Sequence, residues 1–84
     1  MTQTELLRAA IQAPTPDMLY QLAMSYAAGA GTAVERVEAH KWFNIAAVCG
    51  NRDAARLRRE IAEEMSPAEI AAAQRAAREW LTLH

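Results

Sequence analysis

At 84 residues the chain reads as one domain, with a limited core and a correspondingly thin margin of stability. Hydrophobic residues make up 52%, largely alanine, and aromatic residues only 6%, a composition suited to helices that approach closely. Nine basic against ten acidic residues leave a formal charge of −1, so no global electrostatic pull toward nucleic acid or anionic membrane exists, and one cysteine excludes an intramolecular disulfide framework.

Apolar spacing is helical throughout, and the punctuation divides the chain into five predicted helices. The first covers about Thr4 to Gln12, with Leu7, Ala10 and Ile11 on one face, and Pro14 stops it. Thr15 caps the second and Pro16 fills its first position, where a missing N–H is harmless. Leu19, Leu22, Ala23 and Tyr26 then form a single stripe, and Gly29 is expected to end the helix in a left-handed cap. Thr32 with Glu35 resembles a capping box that opens the third helix. That helix carries Ala39, Trp42, Phe43, Ala46 and Ala47 on one face and closes at Gly50. The fourth starts near Asn51 or Asp53 and turns Ala54, Leu57 and Ile61 inward. Ser66-Pro67-Ala68-Glu69 starts the fifth, which presents Ile70, Ala73, Ala77, Trp80 and Leu81. Short loops predict successive helices packed as antiparallel neighbours.

One stretch has a further grammar: Leu22-Ala23, Tyr26, Gly29-x-Gly31, Glu35, Ala39, Trp42-Phe43, Ala46-Ala47, Gly50 and Ala54. It resembles the Sel-one-like repeat, a relative of the tetratricopeptide repeat, without a gap from Leu22 to Ala54. The departures are Ala23 for glycine, Thr32 for valine, Glu35 for aspartate, Glu38 for lysine, Phe43 for tyrosine and Ile45 for lysine. One full repeat over about residues 19–54 is therefore expected. The fold class that follows is all-α, an α/α repeat unit of about five helices. Residues 1–15 form an N-terminal capping helix, 16–50 the repeat, and 51–84 the C-terminal capping helices. Beyond Leu57 the pattern fails, with Arg58, Ile61, Glu64 and Ser66 at positions the repeat reserves for other residues. A single repeat needs its open faces covered, by such caps or by a second copy. Trp80, Leu81 and Leu83 either fold back on the repeat or form an exposed apolar surface.

No catalytic constellation stands out. His40 could act as an acid–base group, but its spacing puts it on the solvent face opposite Ala39 and Trp42. Cys49 could be a nucleophile, but at a helix C-terminus it reads better as a small buried apolar residue. Ser25 and Ser66 lack a base partner, and His40, Cys49 and His84 have no tight metal-ligand spacing. Gly29 and Gly31 do not make a phosphate loop and read as backbone geometry. Arg52, Arg56, Arg58 and Arg59 form a basic run, with Arg52, Arg56 and Arg59 on one face. Arg56 and Arg59 meet Glu60 and Glu63 four residues on, which favours a solvated surface over a nucleic-acid site.

The expectation is a protein-interaction module, not an enzyme, with no cofactor, no metal, no nucleic acid and no membrane among its ligands. The alternatives are a self-associating homodimer and, behind it, a small nucleic-acid-binding regulator using the Arg52–Arg59 face. The resemblance implies that the second helix lines the inner face of a superhelix. Tyr20, Gln21, Met24 and Ser25 are then the candidate partner-binding residues, unless Tyr20 and Met24 pack against the first or fourth helix. The opening Met-Thr-Gln-Thr-Glu reads as no signal peptide and no apolar run spans a bilayer, which points to the cytoplasm.

Overall fold

The computed structural model describes residues 1–84 as five helices without a strand. They are α1 (Gln3–Gln12), α2 (Pro16–Ala28), α3 (Ala33–Val48), α4 (Ala54–Ala62) and α5 (Pro67–Leu83). Side chains close four of the helix starts, three of them as the spacing predicts. Thr15 Oγ1 accepts from the Met18 amide at 3.2 Å, and Ser66 and Glu69 satisfy each other's backbone N–H groups. Thr32 accepts from the Glu35 amide, while the Glu35 carboxylate takes the Thr32 hydroxyl rather than its backbone N–H. α1 opens one residue before the predicted start, because Thr2 and Glu5 form a reciprocal box of their own. α4 is the exception: the Asp53 side chain makes no cap bond. Asn51 Oδ1 instead accepts from the amides of Asp53 and Ala54, at 3.1 and 3.0 Å.

α3 is the hub. α2, α4 and α5 all pack on it, whereas α1 packs on α2. The predicted run of antiparallel neighbours therefore breaks after α4, since α5 returns to α3 rather than lying along α4. Every helix adds to one core cluster of 15 buried residues, seven of them alanine, which lets the backbones approach closely. α3 supplies Ala39, Trp42, Phe43, Ile45 and Ala46, a set that covers a face broader than a single stripe. Trp80 of α5 meets Trp42 edge to face at 5.6 Å, so Trp80 and Leu81 fold back on the core while Leu83 stays exposed. The accessible surface of 4912 Å² compares with about 5,000 Å² for a folded monomer of this mass.

Two local expectations are corrected. On α1 the buried pair is Leu6 and Ala10, with Leu7 half-buried and Ile11 turned out. Apolar residues at 6, 7, 10 and 11 offer two adjacent stripes, and Gln3, reaching Ser25 on α2, sits on the one that wins. Gly29 ends α2 with φ −105°, so it is no left-handed cap. A Cβ there would stand 2.8 Å from Glu35 Oε2, the end of a flexible side chain that can turn aside. The left-handed residue is Gly50, φ +117°, where the amides of Gly50 and Asn51 bond back to Ala47 and Ala46 in a Schellman closure. Gly50→Ala is expected to lose about 1 kcal/mol or more through backbone strain. A denaturation midpoint equal to that of the parent would remove this role.

Candidate docking groove

Of the four candidate contact residues, the structure spreads the side chains over two surfaces. Gln21 and Ser25 lie on the side of α2 that meets α1. Gln21 is exposed, and Ser25 donates to the Leu22 carbonyl at 2.7 Å and accepts from Gln3 Nε2. Tyr20 is half-buried and meets Phe43 edge to face at 6.0 Å. Met24, one turn on, is 42% exposed.

Met24 stands at the mouth of a groove between α2 and α4, with α3 beneath it. Phe43 and Ile61, both buried, floor it, and half-buried Leu57 lies beside them. Ala27, Ala28 and Ala30 form the α2 wall, where the absence of larger side chains keeps the space open. Glu60 and Glu64 form the rim on the α4 side. The volume is about 330 Å³, enough for one or two large side chains. Leu57, Glu60, Ile61 and Glu64 follow the i, i+3, i+4, i+7 spacing of one helical face. The sequence reading placed Leu57 and Ile61 in the core and treated the acids as surface. The available signal was the loss of the repeat pattern at Ile61 and Glu64.

The other singled-out residues lie elsewhere. Cys49 is exposed, not buried, at the C-cap of α3. His84 stacks on Trp80 at 4.1 Å. In the basic run, Arg56 pairs with Glu60 at 3.3 Å and sits 3.9 Å from Asp53, and no pair forms between Arg59 and Glu63. Arg58 points inward and donates to Asn44 Oδ1 at 2.7 Å, which removes it from the basic surface.

His40 is the largest departure from expectation. It is 3% exposed, because α4 and α5 cover the side of α3 that a two-helix unit would leave wet. Its Nδ1 has no hydrogen-bond partner. Burial first, and the Arg58 guanidinium second, hold its pKa below the ordinary 6.5. Below about pH 6.5 the unfolded chain therefore binds more protons than the folded one, and stability falls as the pH drops toward the folded-state value. His40→Leu is expected to flatten this slope between about pH 7.5 and 5.5. Urea midpoints with the same slope in both proteins would show that other groups produce it.

Set against family models, curated proteins and solved structures, the chain matches none of them.

Proposed function

We propose that the chain is a protein-interaction module, built on a Sel-one-like repeat, that holds a partner protein at the groove between α2 and α4. The observation that carries the reading is Met24, 42% exposed in an open groove whose lining is mainly apolar. Methionine suits such a position because its flexible thioether adapts to the shape of a partner. Grooves with an apolar floor and a few polar groups at the edge are common seats for partner segments. The sequence grammar of residues 22–54 and the stacking of α2, α3 and α4 support the repeat reading. The module works by binding, with no reaction or cofactor assigned to it. No helix is long and apolar enough to cross a membrane. The exposed, unpaired Cys49 fits a reducing compartment, and the proposal places the module in the cytoplasm.

Co-purification on the tagged chain, beside a Met24→Gln variant of equal helicity and thermal midpoint, tests the reading. One stoichiometric partner, retained by the parent and lost from the variant, is expected. Equal recovery with both proteins would move the binding surface away from the groove, and recovery of the chain alone would replace the reading with self-association.

A further inference from the structure

The groove carries a charge pattern as well as an apolar floor. Its nine lining residues include two carboxylates, Glu60 and Glu64, and no cation. Glu64 has no basic group within ion-pair distance, and Glu60 shares only the exposed Arg56, at 3.3 Å. Both walls also end here. α2 stops at Ala28 and α4 at Ala62, and residues from the last turn of each line the same space. The carbonyl end of a helix carries partial negative charge, so two such ends add to the two carboxylates. Glu63 and Glu64 follow directly on the last turn of α4, where the dipole disfavours acids. The basic residue of that turn, Arg59, lies outside the groove. Arg56 offsets part of this negative charge at Glu60, whereas Glu64 is left without an ion-pair partner, and such a local excess marks a rim suited to a cationic group.

We propose that the groove receives a segment of a partner protein that carries an apolar anchor residue and, within one helical turn of it, lysine or arginine. The proposal rests on the groove being the binding surface and adds the chemistry of what fills it. The anchor enters between Met24 and Leu57 over Phe43. The cation then reaches Glu64 and competes with Arg56 for Glu60. The apolar contact supplies most of the affinity, and the rim charges select the partner and speed its arrival.

A second copy is the competing occupant. The outer side of α1 presents Leu7, Arg8 and Ile11 along a cleft of its own, which is the same chemistry in miniature. Leu7 is already half-buried, however, so Ile11 alone remains as an anchor. An α1-to-groove contact is also head-to-tail and does not close on itself without a special rotation.

The test is selection of a displayed library of helical peptides against the full chain, followed by titration with the enriched synthetic peptide. Binding is read by affinity and by the shift of the Met24 methyl resonance. Enriched peptides should combine an apolar anchor with Lys or Arg, shift Met24, and bind more weakly as salt rises. Glu60→Gln/Glu64→Gln should weaken the peptide roughly tenfold, at about 1 kcal/mol or less for each rim pair, without altering the fold. Neutral or acidic peptides that shift Met24, or salt-independent binding, would overturn the cationic partner while leaving the groove as the binding surface. Enrichment of peptides that leave Met24 unshifted would overturn both. Sedimentation that shows association of the chain, abolished by Ile11→Glu, would assign the groove to a second copy instead.

Discussion

Trp42→Ala is expected to cost about 3–5 kcal/mol, the range for truncating a buried aromatic side chain. The indole is 2% exposed. It meets Trp80 edge to face at 5.6 Å, and its Nε1 donates to Glu38 Oε2 at 3.0 Å. The ammonium of Lys41, itself 3.0 Å from that carboxylate, lies over the ring at 4.5 Å. Truncation removes the contact that fastens α5 to α3 and opens a cavity that the surrounding alanines are too small to fill. A domain of this length has roughly 4–12 kcal/mol in all, at about 0.05–0.15 kcal/mol per residue. The variant is therefore expected to be largely unfolded or to lose most of its margin. Urea denaturation followed by far-ultraviolet circular dichroism reads this without relying on the lost fluorophore. Trp42→Phe keeps an aromatic edge against Trp80 and should lose clearly less. A loss below about 1 kcal/mol for the alanine variant would mean that α5 does not depend on Trp42, against the geometry described above.

The helices were legible because their punctuation is chemical. Thr15-Pro16, Thr32 with Glu35, and Ser66-Pro67 with Glu69 each supply a side-chain oxygen or a missing N–H where a helix needs one. The stripe Leu19-Leu22-Ala23 was legible for a different reason, since a helix that packs on one side buries one stripe. That logic failed on α3. His40 and Ile45 lie off the stripe of Ala39, Trp42 and Phe43, yet both are buried, because a helix surrounded by α2, α4 and α5 has no dry and wet faces to distinguish.

The groove was half legible. Met24 and Tyr20 could be named because the resemblance implies an inner-face second helix and both lie away from its core stripe, but neither signal says that Tyr20 closes onto Phe43 while Met24 stays open. Glu60 was visible only as the partner of Arg56, a contact within four residues. Its place across from Ala27 and Ala28 depends on how α2 and α4 each pack on α3, which periodicity within either helix does not report. Arg58 failed for the same reason. Its partner is Asn44, 14 residues back, so a run of four arginines read along the chain becomes three on the surface.

Ile45→Lys puts the hub arrangement at risk with one residue. The repeat that residues 22–54 resemble has lysine at this position, so by that pattern the substitution is a return to the norm. In this chain Ile45 is 0% exposed. An ammonium placed there would be a charge in a fully buried site, and an uncompensated buried charge costs about 3–5 kcal/mol. The side chain could recover part of that by threading its stem along the helix toward water. Val48→Lys, three residues on and 63% exposed, makes the same chemical change on the same helix. It is expected to stay within about 0.5 kcal/mol of the parent. Its position in the last turn of α3 even favours a cation. The difference between the two variants, measured by urea denaturation, isolates burial from the chemistry of lysine. Equal small losses would mean that lysine at 45 reaches solvent and that this position is not sealed in the core.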